Sequence, residues 1–106
     1  MSTCSTHVLD ATYGRPAAGV VVRLSTADGT ALDAGATDAG GRVRFEVELG
    51  PGDHRLSFDT GTWFAEQGRD TFYPAVDLTF AVAEDEPHYH VALLLSPFSY
   101  STYRGS

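Results

Sequence analysis

The sequence predicts an all-β fold, a two-sheet antiparallel β-sandwich with one short helix. Three observations carry that expectation. Apolar residues recur with a period of two, the signature of half-buried strands. Clusters of Gly, Pro, Asp and Ser separate the short apolar runs. A single stretch, "TGTWFAEQG", abandons the alternation. Several short strands at this spacing, with one helical interruption, suit two packed sheets around one core.

Taken in chain order, "STHVLDA" reads as a first strand and "TYGRPAAG" as a turn. "VVVRLST" follows as a second strand, rich in β-branched residues that suit a pleated surface. After "ADGT" comes a weaker strand, "ALDAGATD". "DAGGR" reads as a tight hairpin turn whose paired glycines supply positive φ angles. "RVRFEVEL" alternates, with Val43, Phe45 and Val47 on one side and Arg42, Arg44, Glu46 and Glu48 on the other. "GPGD" turns the chain into "HRLSFDT". The helix is expected to start at the Asp59–Thr62 cluster and stop at Gly68. "RDTFYPA" is a loop, "VDLTFAVAE" a strand with Val76, Leu78, Phe80 and Val82 on one face, and "EDEP" an acidic turn. "HYHVALLLS" and "FSYSTYR" complete the strands.

At 106 residues the chain is expected to form a single domain, 1–106. A core of this size leaves little room for a large internal cavity, so a small-molecule pocket belongs on the surface or between subunits. The net charge of −7 argues against a nucleic-acid groove or an anionic membrane surface as partner. All seven basic residues are arginine, which excludes lysine Schiff-base and P-loop chemistry. Cys4 is the only cysteine and cannot form an intrachain disulfide. No apolar run approaches a membrane span, the first residues do not read as a signal peptide, and the expected location is cytoplasmic.

Four places hold residues able to do chemistry. In "HYHVALLL", His88 and His90 share a face while Tyr89, Val91, Leu93 and Leu95 take the core face. Paired strand histidines invite a metal reading, yet catalytic zinc takes three protein ligands. His7, His54 and the carboxylates stand at no telling spacing, so exposed histidines and acid–base use stay open beside it. His7, opposite in direction to Val8, shares its face with Leu9. Arg42 ends the "TDAGGR" turn and can grip a planar, electron-rich group through its fork of donors, with Arg44 competing on the same face. Cys4 reads as a small core residue rather than a nucleophile. The tail "STYRGS" is the fourth: a fraying terminus has no use for tyrosines and an arginine.

"STHVLD" at the start, "DTFYPAVDLTF" in the middle and "HYHVALLLSPFSYSTYRGS" at the end together resemble the 5-hydroxyisourate hydrolases. These are the enzyme branch of the transthyretin-like family. The likeness runs over essentially the whole chain, including "YGRPAAGVVVRL", "DAGGR" and "FDTGTWFAEQG". The terminal Tyr-Arg-Gly-Ser is its most specific motif and sets the enzymes apart from the hormone carriers. Departures at Cys4, Gly41 and Ala92 remove none of the expected catalytic groups. The resemblance implies a transthyretin-like sandwich that opens the ring of 5-hydroxyisourate to 2-oxo-4-hydroxy-4-carboxy-5-ureidoimidazoline in urate breakdown. It implies a homotetramer, a dimer of dimers with sites where dimers meet, and neither cofactor nor metal. The family's functional positions correspond to His7, Arg42 and His90 as catalytic residues. His7, Arg42, Tyr103, Arg104, Gly105 and Ser106 are the positions for substrate binding. The competing class is a non-catalytic transthyretin-like carrier, whose channel needs apolar walls rather than a His/Arg set.

Overall fold

The computed structural model describes residues 2–105. The strands are β1 (Ser2–Asp10), β2 (Arg15–Pro16), β3 (Val21–Thr26), β4 (Ala31–Ala36), β5 (Arg42–Leu49), β6 (Gly52–Phe58), β7 (Val76–Val82), β8 (His88–Ser96) and β9 (Ser99–Gly105), with one helix, α1 (Thr60–Ala65). One sheet runs β2-β1-β8-β9, with β5 also paired to β1; the other runs β4-β3-β6-β7. The expected sandwich with one short helix is what forms.

Alternation decides which side chains meet between the sheets. Along β1, Cys4, Thr6, Val8 and Asp10 are buried while Thr3, Ser5, His7 and Leu9 are only half-buried. Val22, Leu24, Phe45, Leu49, Leu56, Phe58, Leu93 and Leu95 complete a continuous core. Trp63 and Phe64 of α1 close one end of it, and Trp63 Nε1 donates to the Ala18 carbonyl at 2.8 Å. Burying one such side chain stabilises the fold by roughly 1.5–3 kcal/mol.

Four local expectations change. β1 and β8, the first strand and the penultimate one, pair in parallel, so the first sheet is not wholly antiparallel. "TYGRPAAG" contains β2, whose two residues pair with Leu9 and Asp10. "DAGGR" is no hairpin: β4 lies in one sheet and β5 in the other, and the turn carries the chain between them. Only its second glycine, Gly41, has a positive φ, 77°. A Cβ there would stand 2.4 Å from the Val8 carbonyl oxygen, so close backbone approach to β1 as well as conformation requires glycine. Finally, α1 begins beside Asp59 without a side-chain capping bond from it. Thr60 Oγ1 donates instead to the Tyr73 carbonyl at 3.3 Å, and the helix gives way before Gly68, φ 67°.

One buried ion pair pins the connection. Asp10 accepts from Arg69 at 2.8 Å and from the Thr12 and Tyr13 N–H groups at 3.1 and 3.3 Å. The guanidinium lies over the Tyr13 and Phe64 rings, at 4.5 and 4.8 Å. Burial pushes the Asp10 carboxyl up, but the Arg69 and backbone hydrogen bonds outweigh it and hold it below the ordinary carboxylate range.

Candidate active site

Because the core-facing positions of the first sheet are fixed by alternation, the opposite face collects everything else. On β1 that face carries Thr3, Ser5 and His7. In β5, register sets Arg42 across from His7 and Arg44 across from Ser5. In β8, register sets His88 across from Thr3 and His90 across from Ser5. His7, Arg42 and His90 therefore converge from three adjacent strands, although 35 and 83 residues of chain separate Arg42 and His90 from His7. The His7 and His90 rings lie 6.5 Å apart, centre to centre, tilted by 40°. Ser5, Thr6, Asp38, Arg42, Val43, Arg44 and His90 line an open cleft of about 340 Å³.

The turn before β5 is built to hold Arg42. Asp38 Oδ1 accepts the N–H groups of Gly40 and Arg42, each at 2.9 Å, and the Gly41 carbonyl accepts the Val8 N–H at 2.7 Å. Backbone and cleft are thereby tied to β1, leaving the guanidinium exposed at the rim.

The tail contributes backbone. β8 and β9 form a hairpin closed by the two residues Pro97 and Phe98, and its register brings Gly105 opposite His90 and Tyr103 opposite Ala92. A Cβ on Gly105 would fall 2.4 Å from His90 Cδ2. The glycine backbone thus lies against the edge of the imidazole, where no larger residue fits. Tyr103 is on the same face and exposed. Arg104 takes the opposite face: its guanidinium sits 4.8 Å from the Tyr89 ring centre and 3.4 Å from the Glu86 carboxylate. It fixes the tail and does not reach the cleft. Ser106 lies outside the described residues.

Electrostatics favours neutral imidazoles. Burial lowers the His90 pKa below its ordinary value, and the charges of His7, Arg42 and His88 act in the same direction. Burial, then Arg44, lowers His88 as well. A neutral imidazole has one nitrogen free to accept a proton. His90 Nδ1 is engaged by Ser5 Oγ at 2.8 Å, which leaves Nε2 for chemistry. Arg42 beside it offers donors for oxygen atoms that gain negative charge. Among the described residues no three His, Cys, Asp or Glu side chains converge as metal ligands would. Cys4 is buried, and burial pushes its thiol up to about 12, which makes it an inert core residue.

Sequence reasoning missed the two hydroxyls of β1. Ser5 bridges His88 and His90, and Thr3 Oγ1 lies 2.6 Å from His88 Nδ1. Their signal was present: Thr3, Ser5 and His7 repeat a polar side chain at every second position of a strand.

The sequence model of the HIUase/Transthyretin family matches residues 4–105. A 5-hydroxyisourate hydrolase of Salmonella typhimurium is 44% identical over 108 aligned positions, which cover 96% of this chain and 79% of that protein. Among solved structures, a 5-hydroxyisourate hydrolase of Klebsiella pneumoniae superposes with a TM-score of 0.92 at 41% identity, covering all of both chains. Sea bream transthyretin, solved in complex with thyroxine, superposes with a TM-score of 0.87 at 37% identity, over 96% of this chain and 93% of that one.

Proposed function

The chain belongs to the HIUase/Transthyretin family, and from that premise we propose that it is a hydrolase that opens the ring of 5-hydroxyisourate in urate degradation. Water attacks a ring acyl carbon, giving 2-oxo-4-hydroxy-4-carboxy-5-ureidoimidazoline. The observation that carries this reading is the gathering of His7, Arg42 and His90 on one face of the first sheet, where Arg42 and His90 line the cleft, the His7 ring lies 6.5 Å from that of His90, and the backbone of the terminal motif is laid against His90.

Each group has a task. His90, held neutral by burial and by surrounding positive charge, accepts the proton of the attacking water. His7, whose ring lies 6.5 Å from that of His90, orients the water and the substrate. Arg42 clamps substrate oxygens and stabilises the negative charge that develops on the acyl oxygen. On the tail side Gly105 lies against His90, and Tyr103, two residues earlier in the strand, stays exposed. No step calls for a metal or cofactor. We further propose a homotetramer, a dimer of dimers in which neighbouring subunits cover this open cleft; Phe98, 68% exposed at the far end of the β8–β9 hairpin, and Tyr103, 55% exposed, leave apolar surface for contacts between subunits.

The test is direct. 5-Hydroxyisourate generated in situ from urate by urate oxidase decays slowly, with an ultraviolet signature. Adding the protein should accelerate that decay by orders of magnitude. Decay at the spontaneous rate, with saturable thyroxine binding instead, would establish a carrier in place of a hydrolase.

A further inference from the structure

The histidines of β8 are not isolated. Ser5 Oγ stands 2.8 Å from His90 Nδ1 and 2.8 Å from His88 Nε2, and Thr3 Oγ1 stands 2.6 Å from His88 Nδ1. These contacts form one unbroken chain, Thr3–His88–Ser5–His90, which leads away from the cleft that Ser5 and His90 line. It is built by register: Thr3 and Ser5 lie directly across from His88 and His90 in the parallel β1–β8 pair.

A serine hydroxyl has a single proton, and a neutral imidazole has a single N–H. With the Ser5 proton held inside it, the chain points in one of two directions. In one, His90 Nδ1–H donates to Ser5, Ser5 donates to His88 Nε2, and His88 Nδ1–H donates to Thr3. His90 Nε2 then carries a lone pair and is a base. In the other, His88 Nε2–H donates to Ser5, Ser5 donates to His90 Nδ1, and His90 Nε2 carries the proton and is an acid. We propose that Ser5 and His88 form a proton relay behind His90, Ser5 as a positioning residue that fixes its tautomer and His88 as the store for the proton it takes up.

The relay deepens the hydrolase reading and rests on it for its catalytic use. As water attacks, its O–H bond breaks and His90 Nε2–H forms. The His90 Nδ1 proton passes to Ser5 Oγ while the Ser5 proton passes to His88 Nε2, so the positive charge comes to rest on His88. When the ring C–N bond breaks, His90 Nε2 gives its proton to the leaving nitrogen and the chain runs back. The protons of the chain return to their starting atoms, the proton of the water ends on the leaving nitrogen, and base and acid are the same imidazole. The groups facing this chain favour a brief stay of the charge: Arg44 stands across from Ser5, and His7 and Arg42 lie on the His90 side.

The relay has a readout that needs no substrate. In the whole protein with 15N-labelled histidine, ring nitrogen shifts at neutral pH should show His90 held as its Nδ1–H tautomer, and Ser5→Ala should let both tautomers appear. A tautomer mixture at His90 in the unaltered protein would overturn the proposal even if the enzyme is active. A fixed tautomer in a protein without hydrolase activity would leave the relay standing and remove the substrate reading. Kinetically, Ser5→Ala and His88→Gln should each lower kcat at least about tenfold with KM within about twofold, the size expected from impaired proton transfer. Ser5→Thr, which keeps the hydroxyl, should restore most of the rate. Unchanged kcat in both Ser5→Ala and His88→Gln sinks the relay. Should Ser5→Ala not fold, His88→Gln and the spectrum of the unaltered protein decide alone.

Discussion

At His90, burial and the charges of His7, Arg42 and His88 all act against the imidazolium. The sign of the pH dependence follows. The neutral ring is the working base, so turnover should hold level through neutrality and fall only as pH drops through a value below the ordinary histidine pKa of about 6.5. The unfolded chain binds that proton first, so the same group withdraws stability as pH falls from about 6.5 toward its lowered pKa. A pH–rate profile whose acid limb lies above that value would contradict the assignment of His90. Replacing His7, Arg42 or His90 by alanine should each cut turnover roughly a hundredfold or more, measured on fresh substrate. Gly105→Ala isolates the contact of the tail with His90. With no room for a Cβ, either the ring or the tail must move. Activity should drop at least about tenfold, because small misplacements of a catalytic group are expensive. The melting temperature should change little, since β9 is an edge strand at its last residue.

Elements succeed or fail here through their connections. The stretch from β1 to α1 is fastened by Asp10 and Arg69, both largely withdrawn from water. Arg69→Met would leave the carboxylate buried without its cation, which typically costs about 3–5 kcal/mol. Denaturant melts at neutral pH should show that loss. Because the folded Asp10 pKa is held low, the loss should shrink as pH falls from about 4, where the unfolded chain begins to accept the proton, and disappear below the lowered folded value, where the carboxyl is protonated in both states. A penalty that does not vary with pH would mean that packing against Tyr13 and Phe64, not charge, is what Arg69 supplies. The β4–β5 connection works differently. Gly41 brings the turn into contact with the Val8 carbonyl, and Asp38 then holds the Arg42 amide, so one position that only glycine fits serves both stability and the cleft.

For the molecule as a whole, the open edge is the salient feature. β9 and β7 each end their sheets, and between them lies a groove of about 380 Å³ lined by Leu78, Phe80, Tyr89 and Val91 among others. Unpaired edges beside apolar surface favour association. Light scattering on the purified protein should report four chains per particle. A single chain at micromolar concentration would remove the tetramer and leave the cleft open on one side.

The two-sheet architecture was legible because burial in a strand follows a period of two, and "RVRFEVEL", "VDLTFAV" and "HYHVALLL" display it residue by residue. The residue types of the site were legible as well, since histidines and an arginine stood on the outward positions of strands, and the resemblance of the termini gave them roles. What the sequence left open was adjacency. Nothing local says that β1 pairs in parallel with β8, that "DAGGR" passes between sheets rather than closing a hairpin, or that Arg69 finds Asp10. Those outcomes depend on which faces and edges meet when both sheets bury their apolar sides together. Alternation is written in each strand separately. Register between distant strands is decided only when the whole core closes, and it is that register which lines up Ser5 with His90 and His7 with Arg42.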